Sequence, residues 1–563
     1  MIETRQGSNS EATAQERPRR HSAEFVPGAA DGSPVMDRKF ELAVELSRVL
    51  AEAKLGSGGS LREALYLGRN ISLWDVVTTI LVLYRFPPLF LPDGSGAAWL
   101  RRLAYRLRPY LGLAARFRDF VTSGRSRTVA GCAGWPEGRR TATFICFTDS
   151  FYRDLLQPVA ESIARQHLAQ VVVVHGRRPA GARTGDGPVA FHSMWEHWDA
   201  GVDQVQRNMR RSLRQLQREL FGREQLKTLM DGVRSQLGDI NVKSDLYWLF
   251  WREFIRLAPQ VAVAEHILFR HRPALIVSAD DADQRCRVYS LLARAAGVPT
   301  LLVQQGLSFK DYPEWRYLSH GKVAAMGESS RADMIAQGVD PDRIIVTGHP
   351  GFDNLVSAEP DLPISVRNEL GVPGHQRMVL FASQPSYVGA FDQPHRRTEM
   401  IETLARAVGS LKDVKLVVKP HPGERRKDLV SLIGNKRNVV ITDGAVSIAP
   451  LIKACDVFVT FFSTAALQAL YAGKPVINID IPGSRGSRLY IGSNATWVAR
   501  SAEDLMTHIT NLLSARCAEH LKAREEARRR FLHDMAYYPD GKATDRVVQV
   551  VAELIGPERE EGR

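Results

Sequence analysis

Short apolar runs alternate with amphipathic stretches from Thr141 onward. The runs are rich in β-branched residues, and the stretches between them have helical periodicity. In the first half, the pattern predicts strands at 141–150, 170–176, 274–280, 300–306, 322–327 and 343–350. A second series follows a Pro- and Ser-containing linker at about 357–365, with strands at 377–384, 414–422, 438–444, 457–463 and 475–482. Strands that alternate with helices indicate βαβ units. We therefore expect an α/β fold with two Rossmann-like, doubly wound parallel sheets.

Three other regions depart from this alternation. Residues 36–135 have a mostly helical pattern, and the Arg- and Gln-rich stretch at about 192–265 predicts a helical insertion. Residues 1–35 contain too few large apolar side chains to offset the entropy of ordering, which predicts a disordered tail. We expect two domains, 136–356 with the insertion and 357–563, because 563 residues exceed what one hydrophobic core spans.

The net charge and the cysteine spacing indicate which kind of partner and which compartment to expect. The chain has 75 Lys and Arg and 62 Asp and Glu, which gives a net charge of +13. Such a charge favours a polyanion, an anionic membrane or a phosphorylated substrate as partner. The five cysteines show no CxxC or zinc-ligand spacing, which is typical of a reducing compartment. We expect a cytoplasmic protein, since the sequence shows neither a secretory signal pattern nor a long uncharged apolar run.

An arginine-rich stretch lies in the N-terminal helical region. Residues 100–118 carry six arginines and no acid, interleaved with Leu, Tyr and Phe. Such a helix can lie on an anionic membrane face. The alternative, which we favour, is a helix that packs its apolar stripe on the main body and exposes its arginines to water.

A candidate anion site follows the predicted strand that ends at Phe462. Ser463 stands at the N-cap of the helix that begins at Thr464, and the helix stops at Gly473. Free N–H groups and the helix dipole at such an end favour a phosphate. The alternative is that Ser463 only caps its helix.

A second candidate is Lys419-Pro420-His421-Pro422, at the end of the strand VKLVV. The two prolines stiffen the backbone and hold one ammonium and one imidazole as donors for a diphosphate. His421 can also act as a general acid. The alternative is a simple turn.

Candidate polar residues also follow strands of both domains. Asp280 and Asp281 end a strand of the first domain, where a carboxylate facing the interdomain cleft can deprotonate a hydroxyl; the alternative is that they cap the next helix. The other predicted cleft residues are Gln304, Gln305, Gly306 and Ser383. Ligands of open α/β sheets bind at these strand ends. No P-loop, HExxH or GxSxG pattern occurs, which disfavours P-loop NTPases, zincins and α/β-hydrolases.

Several segments in combination resemble bacterial GT-B glycosyltransferases that build surface and capsular polysaccharides. These segments are VVKPHPGE, VTGHPGFDNL, DGKATDRVV and the unit FFSTAALQALYAGKPVINID. The resemblance extends to sialyl-, polysialyl- and Kdo transferases, CDP-glycerol glycerophosphotransferases and relatives of the UDP-N-acetylglucosamine 2-epimerases. It covers roughly residues 141–555.

The resemblance implies roles for the candidate residues. His421, Ser463 and Thr464 match positions that bind nucleotide phosphates, and Asp280 or Asp281 loosely matches the base of the sialyltransferase type. Two positions depart from the relatives: Gln305 replaces the histidine of a Gln-His-Gly motif, and Gln468 replaces a Glu that holds the ribose.

The implied function is transfer of a sugar from a CMP-, CDP- or UDP-linked donor to a surface polysaccharide or lipid-linked acceptor, with inversion. We expect no metal and no cofactor besides the nucleotide sugar, and no nucleic-acid partner. The alternatives are an epimerase or hydrolase of nucleotide sugars, and a non-catalytic glycan-assembly protein of the same fold.

Overall fold

The computed structural model describes most of the chain. The described residues are 34–90, 135, 140–176, 188–308, 313–357, 359–385, 394–421, 423–434, 436–444, 446–481 and 487–557. The predicted tail, apart from its last two residues, and the arginine-rich stretch 100–118 lie outside them.

The described part of the N-terminal region, residues 34–90, contains three α-helices. They are α1 (Pro34–Glu52), α2 (Leu61–Ala64) and α3 (Leu73–Ile80), followed by a π-helical turn (Leu81–Arg85) and a 3-10 turn (Pro87–Phe90). Ser60 and Glu63 form a reciprocal capping box at the start of α2. Leu46 and Trp74 pack in one hydrophobic cluster with Leu213 and Phe250 of the insertion. The N-terminal helices and the insertion therefore share a core.

The first sheet has seven parallel strands in the order β3-β2-β1-β4-β5-β6-β7. The strands are β1 (Thr141–Ile145), β2 (Gln170–His175), β3 (Val189–Ser193), β4 (Leu275–Ser278), β5 (Thr300–Val303), β6 (Lys322–Ala325) and β7 (Ile344–Val346). Val172 and Val174 pack toward the N-terminal helices, whereas Val171 and Val173 pack on the opposite face. Helices thus cover both faces.

Nine α-helices accompany the first sheet in the described residues. They are α4 (Asp149–Phe151), α5 (Gln157–Arg165), α6 (Ala200–Leu220), α7 (Arg223–Leu237), α8 (Lys243–Trp248), α9 (Phe254–His271), α10 (Gln284–Ala295), α11 (Glu328–Ala336) and α12 (Asp353–Val356). The π-helical turns are Tyr152–Leu156 and Leu249–Glu253, and the 3-10 turns are Met194–His197, Pro313–Tyr317, Pro341–Arg343 and Pro350–Phe352. Helices α6 to α9 occupy the region in which the sequence predicts a helical insertion.

The second sheet has six parallel strands in the order β10-β9-β8-β11-β12-β13. They are β8 (Arg377–Ala382), β9 (Val414–Lys419), β10 (Val439–Ile441), β11 (Val457–Thr460), β12 (Val476–Ile479) and β13 (Trp497–Ala499). The helices are α13 (Asp361–Glu369), α14 (Pro394–Gly409), α15 (Arg426–Ile433), α16 (Ile448–Ala454), α17 (Thr464–Tyr471), α18 (Ser487–Tyr490), α19 (Ala502–Leu513) and α20 (Cys517–Ala536). Val379 and Phe381 pack on one face, and Met378 and Leu380 on the other.

The last helix, α21 (Ala543–Ile555), packs on the first sheet, although the sequence predicts the whole of 357–563 as the second domain. Val547 and Val551 share a cluster with Phe144 and Val277. Asp353 caps α21 by accepting hydrogen bonds from the amides of Ala543 at 3.0 Å and Thr544 at 2.7 Å. The chain therefore returns to the first sheet at its C-terminal end.

The two parallel sheets with helices on both faces confirm the expected α/β class, with two Rossmann-like units and a helical N-terminal region. Within the described ranges, no helix combines the length and apolar composition that a bilayer crossing requires.

Candidate functional site

Three predicted site residues follow neighbouring strands of the second sheet. His421 lies two residues beyond β9, Ser383 directly follows β8, and Ser463 lies three residues beyond β11. Strand β8 runs between β9 and β11, and all three are parallel. Their carboxyl ends therefore meet at the same edge, which is the position where ligands of open α/β sheets bind.

Ser463 caps α17. Its hydroxyl accepts a hydrogen bond from the Ala465 amide at 3.2 Å, and its carbonyl accepts one from the Ala466 amide at 2.9 Å. Among the described residues, the amide and hydroxyl of half-exposed Thr464 have no hydrogen-bond partner. The expected cap is present, and it leaves the helix dipole and one first-turn amide available to a ligand.

The His421 imidazole has a defined orientation. Its Nδ1 accepts a hydrogen bond from the Gly423 amide at 3.0 Å, so the proton of the neutral ring is on Nε2. The ring is half-buried. Burial lowers the pKa of His421, and neighbouring Lys419 acts in the same direction, although the Glu424 carboxylate opposes them. The ring is therefore neutral at pH 7 and a hydrogen-bond donor through Nε2.

A network of hydrogen bonds and one ion pair stabilises the turn that carries His421. Glu424 accepts hydrogen bonds from the His421 amide at 2.9 Å and from the Ser383 hydroxyl at 3.0 Å, and it forms an ion pair with Arg397. Arg397 also donates to the Gln384 carbonyl at 2.6 Å. Ser383 is only 3% exposed, so it is a bracing residue rather than the ligand contact that the sequence predicts.

Lys419 also differs from its expected role as a phosphate donor. Its ammonium donates hydrogen bonds to the carbonyls of Pro420 and Gly444, both at 2.8 Å. Burial lowers the pKa of this amine. Lys419 thus links the end of β9 to the loop after β10, and its ammonium is engaged by these two carbonyls rather than free for a phosphate.

Gln468 lies one helical turn beyond Thr464 on α17. Its Oε1 is buried without a hydrogen-bond partner among the described residues. A buried amide oxygen without a partner is costly, so a hydroxyl donor from a ligand would stabilise it. This observation supports the sequence-based expectation that Gln468 holds a sugar or ribose hydroxyl.

Asp281, one of the two residues predicted as the catalytic base, lies inside a buried network. It forms an ion pair with Arg287 at 2.8 Å and a 2.8 Å hydrogen bond with Nδ1 of His320. The Nε2 of His320 contacts the Ser278 hydroxyl at 2.8 Å, and both residues are fully buried. Burial would raise the pKa of Asp281, but Arg287 and His320 hold it below the ordinary value. Both oxygens of this carboxylate are thus engaged within the protein, which favours a structural role over the predicted one as a base.

Asp280 has the properties of a base. Its Oδ1 accepts hydrogen bonds from the amides of Ala282 at 2.9 Å and Asp283 at 3.0 Å. The side chain lines a small cavity at the carboxyl ends of β1 and β4, together with Cys146 and Phe147. Burial, reinforced by the nearby charge of Asp283, raises the pKa of Asp280 to about 6. A group that titrates near neutrality can exchange protons with a substrate.

Glu314 is a candidate that the sequence reasoning missed. It lies in the 3-10 turn before β6, and burial together with the charges of Asp281 and Asp280 raises its pKa to about 8. The only local signal is one acid among aromatic residues in YPEWRY. The effect depends on carboxylates more than 30 residues away in the chain, so no local pattern reveals it.

The two glutamines that follow β5 differ in exposure: Gln304 is buried in the core, and Gln305 is exposed. Gln304 is only 3% exposed. Its side-chain amide donates hydrogen bonds to the Gly306 carbonyl and the Ser330 hydroxyl and accepts one from the Met326 amide, so it is structural rather than ligand-binding. The Gln305 side chain is exposed, and an added Cβ at Gly306 would meet open space.

The two domains meet beside these residues. Leu307 packs against the cluster that contains Ala465 and Ala466 of α17. That cluster also contains Met326 and Phe352, so residues of both domains share it.

Comparisons with known proteins give a family match for part of the chain. Residues 316–552, less than half of the sequence, match the model of the UDP-N-acetylglucosamine 2-epimerase family. The search of curated proteins finds no significant match.

Solved structures with similar folds share little sequence with this chain. The UDP-GlcNAc 2-epimerase from Neisseria meningitidis, bound to UDP-GlcNAc, is 12% identical, covers 74% of this chain and 100% of its own, and has a TM-score of 0.46. The wall teichoic acid polymerase TagF is 10% identical, with coverages of 82% and 98% and a TM-score of 0.46. A glycosyltransferase from Rickettsia africae is 12% identical, with coverages of 74% and 99% and a TM-score of 0.43. The C-terminal half of the chain is thus similar to a family named for an epimerase.

Proposed function

We propose that the protein is an enzyme that uses a nucleotide sugar and transfers the sugar to an acceptor hydroxyl. The observation that carries this proposal is the position of His421 and Thr464 at the same edge of the second sheet, after neighbouring parallel strands. The match of residues 316–552 to a nucleotide-sugar family supports the same substrate class.

The phosphate or diphosphate of the donor would bind at the start of α17. The Thr464 amide and hydroxyl donate to phosphate oxygens, and the helix dipole stabilises their charge. His421 donates through Nε2, and its orientation is held by Gly423 and Glu424. Such preorganised donors stabilise the charge that develops on the leaving group.

Transfer then requires one base. Ionised Asp280 takes the proton of the acceptor hydroxyl, and the resulting oxygen forms a bond to the anomeric carbon. The bond between that carbon and the phosphate oxygen breaks, and the electron pair leaves with the nucleotide. Attack from the side opposite the nucleotide inverts the anomeric centre. We propose a CMP-, CDP- or UDP-linked sugar as donor and a surface glycan or lipid-linked acceptor.

Thermal-shift titration with CMP, CDP and UDP tests the nucleotide site. A nucleotide present at about 100 times its dissociation constant adds about 2.7 kcal/mol to the stability of the folded state. We expect His421→Ala and Thr464→Val to reduce this shift. The matched control is His375→Ala, which removes an exposed histidine of the same domain. Equal shifts for all variants would contradict the proposed site.

A second candidate is epimerisation or hydrolysis of the nucleotide sugar. The family match favours it, and so does the presence of two carboxyl groups, Asp280 and Glu314, with pKa values raised to about 6 and about 8. One group can remove a carbon-bound proton and the other can return one.

Incubation of the donor alone in D2O distinguishes the candidates. An epimerase returns the nucleotide sugar with deuterium on the sugar ring, and a hydrolase releases free sugar. A transferase produces neither at a comparable rate and needs an acceptor. Nucleotide binding without any turnover would indicate the non-catalytic alternative.

A further inference from the structure

Three aromatic side chains of the helical insertion form an exposed cluster. The ring centroids of Phe221 and Tyr247, and those of Phe221 and Trp251, are 4.6 Å apart, and those of Tyr247 and Trp251 are 4.8 Å apart. Phe221 also contacts Phe250, which is fully buried. Trp251 is nevertheless 52% exposed and Tyr247 40% exposed. The cluster is therefore anchored in the core while two large rings face water.

Basic side chains continue this surface on both helices. Arg214, Arg218 and Phe221 are spaced four and three residues apart along α6, so they share one face. Lys243, Tyr247 and Trp251 are four residues apart and all exposed, so they form a second row. We name these six residues the aromatic–arginine face.

The arginines of this face differ from two other exposed arginines of the insertion, Arg207 and Arg234. Arg207 is paired with Asp203, and Arg234 lies near Asp231 and Asp239. Arg214 and Arg218 form no ion pair or hydrogen bond with any described residue.

The nearby acid does not neutralise the face. Between Arg210 and Arg223, the only acid among five arginines is Glu219. Its carboxylate accepts a hydrogen bond from the Ser57 amide at 2.7 Å. The aromatic–arginine face therefore has a local positive charge without a counterion from the described part of the protein.

We propose that the aromatic–arginine face docks on an anionic lipid membrane. Trp and Tyr combine an apolar ring with a polar tip and favour the boundary between water and hydrocarbon. Unpaired arginines gain Coulomb energy near anionic headgroups. The combination fits a charged bilayer surface better than a second copy of this chain, whose net charge of +13 would repel it. Docking would place the enzyme at the surface where a lipid-linked acceptor resides.

This surface is separate from the stretch 100–118. That stretch lies outside the described residues, whereas all six residues of the aromatic–arginine face lie within them. The proposal also does not depend on the nucleotide site, since the face belongs to the insertion and the candidate phosphate-binding residues belong to the second sheet.

Flotation of the full chain with vesicles tests the proposal. We expect binding to vesicles of phosphatidylcholine with phosphatidylglycerol, and little binding to phosphatidylcholine alone. The double variant Arg214→Gln/Arg218→Gln should bind about 30-fold more weakly, because each arginine near such a surface contributes about fivefold. Trp251→Ala should still bind the anionic vesicles at low salt, because its basic residues are unchanged. It should lose the part of the binding that persists at high salt.

The matched control is Arg529→Gln/Arg530→Gln, which removes the same charge from exposed positions of α20. It should bind within about twofold of the wild type, because charges beyond about 10 Å from the membrane are screened. The two double variants should have the melting curve of the wild type, since the altered arginine side chains are exposed. Equal loss in both double variants, or unchanged binding of Arg214→Gln/Arg218→Gln, would overturn the proposal. A wild-type dimer that Trp251→Ala converts to a monomer would also overturn it, because a second copy would then cover the face.

Discussion

Replacing Asp280 by Asn separates the catalytic and structural contributions of this carboxyl group. Its pKa is raised from 3.8 to about 6, so the folded protein holds a proton on Asp280 over a range in which the unfolded chain has lost it. The stability that protonated Asp280 contributes is complete below pH 3.8 and is lost as pH rises through about 6. At about 1.4 kcal/mol per pH unit, ionised Asp280 costs the folded state up to about 3 kcal/mol at neutral pH. Asn can accept the same two backbone hydrogen bonds without a charge.

Asp280→Asn should therefore be more stable than the wild type at pH 8 and equally stable at pH 4, as measured by thermal denaturation. In a transfer assay its turnover should fall by about 10²–10⁴, the usual contribution of a general base. For the wild type, kcat/KM should rise about tenfold per pH unit up to about pH 6 and then level off. A variant that keeps its activity, or one that is less stable than the wild type at pH 8, would refute this reasoning.

Four further predictions concern other parts of the molecule. Under the epimerase candidate, Glu314→Gln should remove an alkaline limb near pH 8 from the kcat/KM profile of epimerisation, because protonated Glu314 returns the proton in that reaction; an unchanged limb would contradict this role. Ser463→Ala should cost about 1 kcal/mol of stability and weaken nucleotide binding measured by calorimetry. Burial lowers the pKa of His197 to about 3, so stability should fall as pH drops from 6.5 toward 4, and His197→Asn should flatten that dependence in acid denaturation. Gly327→Ala should lower the melting temperature, because its Cβ would lie 2.4 Å from the Asp534 carbonyl, whereas Gly232→Ala, in open space on α7, should not.

The sequence pattern predicts the fold class and most strands but misses β3 and β13. Both lie at the edges of their sheets. Strand β13 has only three residues, and β3 is half-exposed along most of its length. Edge strands need no continuous apolar run, because one side of the ladder faces solvent. Periodicity therefore cannot separate them from loops.

The candidate site is only partly predictable for a similar reason. Positions after strands are visible in the sequence, and the structure places His421 and Ser463 after neighbouring parallel strands as the pattern indicates. Whether a polar side chain is exposed or bonded within the protein depends on partners far along the chain, as for Asp281 with His320 and Lys419 with Gly444. The local sequence pattern cannot favour Asp280 over Asp281 as the base. The two carboxyl groups differ because Arg287 is buried against Asp281 and forms an ion pair with it.

The central claim is that the start of α17 and the His421 corner form one binding site for a nucleotide diphosphate. A crystal structure of the protein with UDP or CDP tests it most directly. We expect phosphate oxygens within hydrogen-bond distance of the Thr464 amide and of Nε2 of His421. A nucleotide bound elsewhere, with both donors facing only solvent, would contradict the account.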